Sequence, residues 1–139
     1  MESQHPTCAI LADSHTALAE GIRDMLETAF HSIYVVADLQ TLRDGAERLL
    51  PTLIVLDLSL AGPNSEKILK EINLLSPGSR VLVLTLNGEP NVARHILHAG
   101  AHGVVLKRCI GKDILAAVDV LLQGEDYVSP DFGMDKVIH

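Results

Sequence analysis

Apolar residues gather in short runs at Cys8–Ala12, Ile33–Ala37, Leu53–Leu58, Val81–Leu86 and Val104–Leu106, rich in Val, Ile and Leu. The runs are continuous rather than alternating, so they predict strands buried on both faces of a parallel sheet. Between them the apolar positions fall three and four apart. Leu18, Ile22, Met25 and Ala29 form one stripe, and Leu42, Ala46 and Leu49 the next. Ile68, Ile72 and Leu75, then Val92, Ile96 and Ala99, and last Ile114, Ala117, Val118 and Leu121 complete five amphipathic helices. Pro63 and Pro90 suit first helical turns, Gly100 suits a helix end, and Pro77-Gly78 a turn before the fourth strand. The pattern is therefore α/β, a (βα)5 three-layer sandwich: an open, five-stranded parallel sheet with right-handed crossovers putting helices on both faces.

Composition narrows the reading. A chain of 139 residues fits one domain. No apolar run reaches the roughly 18 residues of a membrane span, and Met1–Thr7 lacks the basic start and apolar stretch of a secretory signal. Cys8 and Cys109 stand alone, without metal-ligand spacing, and read as buried thiols in a reducing setting. The expectation is a soluble, cytoplasmic protein. A net charge of −7 argues against a broad basic face for nucleic acid. The stretch Gly124–His139 reads as linker-like.

In an open parallel sheet, ligands bind beyond the carboxyl ends of the strands. The residues there are Asp13-Ser14 after the first run, Asp57 ending the third, Thr85 the fourth and Lys107 the fifth. Fold alone would not choose among a flavin carrier, a phosphatase and a signalling domain. The side chains do. An Asp closing the run Leu53-Ile54-Val55-Leu56 is costly to bury unless paired or metal-bound. Asp13 beside it calls for a neutralising cation, and Mg²⁺ takes one or two carboxylates with carbonyls and phosphate oxygens. A carboxylate can attack phosphorus, forming an acyl phosphate, when positive charge gathers the equatorial oxygens. Lys107 and the cation could supply that charge, and Thr85 a hydrogen bond.

The motifs Ala12-Asp13-Ser14-His15, Leu56-Asp57-Leu58-Ser59, Val83-Leu84-Thr85 and Gly103-Val104-Val105-Leu106-Lys107 together resemble the receiver domain of two-component response regulators. The stretch Ala99-Gly100-Ala101-His102-Gly103 is similar to that family's approach to its lysine. Gly124-Glu125-Asp126-Tyr127-Val128-Ser129-Pro130 resembles the interdomain linker of LuxR/NarL-type members. The resemblance implies a flavodoxin-like strand order 2-1-3-4-5, a receiver domain over residues 1–124 and a linker segment over 125–139, with any output domain outside this chain. It implies that Asp57 accepts phosphate from a sensor histidine kinase or phosphotransfer protein. Asp13, Asp57 and the Ser59 backbone carbonyl would hold Mg²⁺, while Thr85 and Lys107 clasp the phosphoryl group. The protein would be a phosphorelay switch controlling a transcriptional output rather than a turnover enzyme. It could form a homodimer, without contacting nucleic acid or membrane itself.

Departures from the family's pattern mark the rest. Ser14 stands where a second acidic residue is usual, and it reads as an N-cap of the first helix ahead of a metal ligand. Val104 replaces the usual aromatic switch residue, Ala61 a frequent proline, Ser65 a frequent glycine and Arg108 a frequent proline. Ser14 and Val104 keep open an alternative, a receiver-like interaction module independent of phosphate. An aspartyl phosphohydrolase would want an acid where Ser59 stands, and a flavin carrier a Ser/Thr/Gly-rich loop where the first helix begins. His95, His98 and His102 read as solvated histidines.

Overall fold

A computed structural model describes residues 7–132. Five strands alternate with helices: β1 (Cys8–Ala12), α1 (Thr16–Leu26), β2 (Ser32–Val36), α2 (Leu39–Leu49), β3 (Leu53–Asp57), then a single turn α3 (Leu58–Ala61) and α4 (Ser65–Leu75). The chain continues through β4 (Arg80–Thr85), α5 (Pro90–His98), β5 (Gly103–Leu106), α6 (Ile110–Leu122) and a two-residue strand β6 (Tyr127–Val128). The sheet is parallel throughout, in the order β2-β1-β3-β4-β5-β6. The predicted flavodoxin-like order 2-1-3-4-5 holds, and the sixth strand extends it beside β5.

Side chains on a strand alternate between faces, and here both faces are covered. Ala9, Leu11, Leu53, Val55, Leu82, Leu84 and Val105 meet Ile22 and Leu26 of α1 and Ile114, Val118 and Leu121 of α6. Ile10, Ala12, Ile54, Leu56, Val81 and Val83 turn the other way, onto Leu42 of α2, Ile68, Leu69 and Ile72 of α4, and Ile96 of α5. This two-sided burial is why β1, β3, β4 and β5 are apolar along their interiors, with Asp57 of β3 and Arg80 and Thr85 of β4 confined to strand ends. Val104, the residue standing for an aromatic, is fully buried among the second set.

Several expectations need correction. β2 is an edge strand rather than a buried one: Tyr34 and Val35 are exposed, because only β1 flanks it. Helix α1 ends at Leu26, so Ala29 lies in an exposed turn while Leu26 and Phe30 take the inward places. Leu49 is exposed where α2 runs into the left-handed Leu50. Ser14 is not the N-cap of α1; it is exposed, and His15 occupies the cap position without a side-chain hydrogen bond. His102 is not solvated: it is half-buried and its Nδ1 accepts from the Val81 amide at 2.9 Å, with burial first and Arg80 second holding its pKa below the ordinary range. His95 and His98 are exposed. Cys109 is buried and donates to Asp131, whereas Cys8 is only half-buried.

Of the linker-like tail, residues 124–132 are described, and they lie against the sheet. β6 pairs with β5 from Gly103↔Tyr127 to Val104↔Val128. Beyond it Ser129 is buried, its hydroxyl donating to Asp113 at 2.8 Å and accepting from the Leu106 amide at 3.2 Å. Phe132 closes the contact from within the core.

Candidate functional site

Adjacent strand ends bring the polar residues together. β1 and β3 are neighbours in register, with Ala12 beside Leu56, so the next residues, Asp13 and Asp57, emerge side by side. β4 places Thr85 and β5 releases Lys107 on the same edge. Asp57, Ser59, Thr85 and Lys107 line one surface pocket with Leu58, Gly62, Leu86 and Asn87.

Asp57 is 1% exposed, a position that no lone carboxylate would hold. Its Oδ2 lies 3.1 Å from Lys107 Nζ and accepts from the Ser59 hydroxyl at 2.8 Å, while Oδ1 accepts from the Ser59 amide at 3.3 Å. Burial pushes its carboxyl up, but the Ser59 and Lys107 hydrogen bonds and the lysine charge together outweigh this and hold the pKa below the usual carboxylate range. The ionised form is the resident one. The Ser59 amide bond also makes Asp57 the N-cap of α3, so one side chain ends a strand, starts a helical turn and presents an anion to the pocket.

Asp13 is equally buried. Its Oδ1 accepts from the His15 amide at 2.9 Å and lies 3.2 Å from His15 Nδ1. Its Oδ2 is buried with no hydrogen-bond partner among the described residues. His15 Nδ1 also stands 3.5 Å from Asp57 Oδ2. Asp13, His15 and Asp57 are the one group of three potential metal-ligating side chains clustered among the described residues. An unsatisfied buried carboxylate oxygen beside a second carboxylate fits a hard divalent cation such as Mg²⁺.

Thr85 is buried, and its hydroxyl accepts from the Asn87 amide at 3.1 Å rather than touching Asp57, so it caps the loop leaving β4 while lining the pocket. Ser14, next to Asp13 in sequence, is exposed. Ser59 is joined to Asp57 through its hydroxyl and amide, contacts that leave its backbone carbonyl out of the pairing. His15 was missed as a site residue. The signal available was its place two residues after Asp13, the spacing at which an Asp side chain folds back on the backbone amide and returns the intervening chain.

Residues 9–119 match the family model of the response regulator receiver domain. Over 132 residues the chain is 26% identical to the transcriptional regulatory protein DegU of Brevibacillus brevis and 30% identical to the nitrate/nitrite response regulator protein NarL of Escherichia coli K12. These alignments cover 94% and 93% of this chain but 54% and 61% of those proteins, so the chain spans little more than half of the curated relatives it matches. Among solved structures it is similar to a LuxR-family two-component response regulator from Aurantimonas sp. SI85-9A1, with a TM-score of 0.82, 25% identity and 94% of each chain covered. It is also similar to the isolated receiver domain of RcsB from Salmonella enterica serovar Typhimurium with the phosphomimetic BeF3⁻, at a TM-score of 0.80, 25% identity, and 93% and 97% coverage.

Proposed function

The chain belongs to the response regulator receiver domain family, its matched relatives being LuxR/NarL-type regulators, and from that premise we propose that it is a phosphoacceptor switch working through Asp57. The observation that carries the proposal is a buried carboxylate kept ionised by Lys107 and Ser59 at the mouth of a pocket, beside an Asp13 oxygen with no partner.

In the step proposed, an Asp57 carboxylate oxygen attacks the phosphorus of a phosphohistidine on a sensor kinase or phosphotransfer protein. The new O–P bond forms as the N–P bond breaks, and the imidazole departs with its electron pair. Ser59 and Lys107 orient the carboxylate before transfer. Lys107 then has a second anionic partner within reach, and its charge is worth more there because the ammonium is itself nearly buried, its side chain 9% exposed. The Thr85 hydroxyl accepts from the Asn87 amide and keeps its own proton to donate to a phosphoryl oxygen, so arrival of the group at Asp57 would be felt in the loop between β4 and α5. Asp13 and Asp57, with the Ser59 backbone carbonyl, would hold Mg²⁺, which supplies countercharge to the phosphoryl oxygens. The protein acts once per phosphoryl group, losing it by slow hydrolysis, and is not a turnover enzyme.

Names of the relatives support a transcriptional output outside this chain, and another solved structure in the comparison shows two RcsB dimers bound to DNA. We assign DNA contact to such an output domain because the receiver's charge is −7, and we assign the receiver to the cytoplasm, controlling its output through a changed surface or a homodimer. The test is incubation with a small phosphodonor and Mg²⁺. Intact mass should rise by one phosphoryl group, and Asp57→Asn should abolish the gain. Labelling of Asp57→Asn at the wild-type rate would refute the assignment, and a wild type that never labels at high Mg²⁺ would favour the interaction-module reading.

A further inference from the structure

Beside the two carboxylates at the strand ends stands a donor of another kind, the His15 ring. One atom each from Asp13, His15 and Asp57 lies within 4.8 Å of the others, and His15 Nδ1 is 3.2 Å from Asp13 Oδ1 and 3.5 Å from Asp57 Oδ2. Donors about 2.1 Å from a shared ion stand roughly 3.0–3.4 Å apart in octahedral or tetrahedral arrangements. Both separations fall near that interval. Asp13 gives an independent indication: its side chain is fully buried, yet Oδ2 has no hydrogen-bond partner among the described residues. A buried carboxylate oxygen without a donor is one that a cation satisfies.

We propose that His15 is a metal ligand, making the site around Asp57 a mixed carboxylate–imidazole site that selects a zinc-class divalent ion over Mg²⁺. The inference rests on the phosphoacceptor reading and deepens it. Mg²⁺ is a hard ion that prefers oxygen donors in near-ideal octahedral geometry, whereas imidazole suits Zn²⁺ and its first-row neighbours. At Ser14 the chain presents a neutral, exposed hydroxyl in place of a second carboxylate, and at His15 it adds a nitrogen. The His15 amide donates to Asp13 Oδ1 at 2.9 Å, which turns residue 15 back beside that carboxylate. The His15 side chain is 61% exposed, so the ring is the solvent-facing member of the three.

The experiment is calorimetric titration of the chain with Zn²⁺ and, separately, Mg²⁺, beside ¹⁵N spectra of the labelled histidine rings. Wild type, His15→Ala, His15→Gln and Asp57→Asn are compared, with thermal melts showing that each is folded. Zn²⁺ should bind more tightly than Mg²⁺ and shift the His15 Nδ1 resonance. Both His15 variants should weaken Zn²⁺ by at least about tenfold while changing Mg²⁺ little, and Asp57→Asn should weaken both ions. The inference is overturned if the His15 variants bind Zn²⁺ as wild type does, or if only the resonances of His95, His98 or other rings shift. Tighter Mg²⁺ binding on loss of the ring would also overturn it, by showing that His15 competes with the ion. Binding that depends on Asp57 but ignores His15 sinks the ligand assignment alone. Binding indifferent to Asp57→Asn sinks the phosphoacceptor reading with it.

Discussion

Replacing Ser129 with Ala removes a hydroxyl that bonds in two directions inside the protein. It donates to Asp113 Oδ2 at 2.8 Å and accepts from the Leu106 amide at 3.2 Å, immediately before Lys107. Ser129 is 1% and Asp113 4% exposed, so water does not reach either group without local opening. A hydrogen bond to a carboxylate contributes about 1.5–3 kcal/mol and an amide bond about 0.5–1.5 kcal/mol, so the loss should be about 2–4 kcal/mol. For a domain of this size that is a fall in Tm of roughly 6–15 °C, or in the urea midpoint of about 1–2 M with the slope unchanged. Urea unfolding of wild type, Ser129→Ala, Asp113→Ala and the double variant measures it. The cycle should show coupling between the two positions, because removing either partner alone strands the other. A loss under about 0.5 kcal/mol, the size of an ordinary surface change, would refute the reasoning, and would mean that the segment after α6 rests on the domain without contributing to it.

Lys107→Met should raise the titration midpoint of Asp57, read by carboxyl ¹³C shifts, because burial then acts with only the Ser59 bonds against it. The sign follows: a folded pKa below the ordinary value of about 3.9 gives stability present above that pH and lost as pH falls through the lower folded value. The variant should show less of that acid-side loss, and an unmoved midpoint would exclude Lys107 as a cause. Ser14→Asp adds a carboxylate next to Asp13 and should tighten Mg²⁺ by about tenfold or more while lowering the metal-free melting temperature; equal Mg²⁺ dissociation constants would put residue 14 outside the site. Gly100→Ala should cost about 1–3 kcal/mol, since φ is +123° and a Cβ would stand 2.4 Å from Asn73 Nδ2. That amide donates to the carbonyls of Gly100 and Leu69, joining α4 to the turn before β5, and in an Asn73→Ala background the cost should fall to the backbone part alone.

The chain by itself determined the layers. Continuous Val, Ile and Leu runs can be satisfied only with helices on both sides, and three- and four-residue spacing names the inward helix faces, so β1, β3, β4 and β5 were legible within a residue or two. The positions of Asp13, Asp57, Thr85 and Lys107 at strand ends followed from the same pattern, because a polar residue closing a buried strand sits at the sheet's carboxyl edge. Tertiary structure decided what pattern does not encode. The apolar run Ile33–Ala37 is like the others, yet its strand has one neighbour and is half-exposed, since edge or centre is a matter of strand order rather than local sequence. The tail from Gly124 carries the polar and Gly/Pro residues of a linker, but Tyr127 and Val128 find the unpaired edge of β5, and Ser129 finds Asp113, sixteen residues away in the chain. His15 became a site residue for the same reason. Sequence spacing sets it near Asp13, but only the parallel pairing of β1 with β3 sets Asp57 within 3.5 Å of its ring, and distance between non-neighbouring residues is what folding alone supplies.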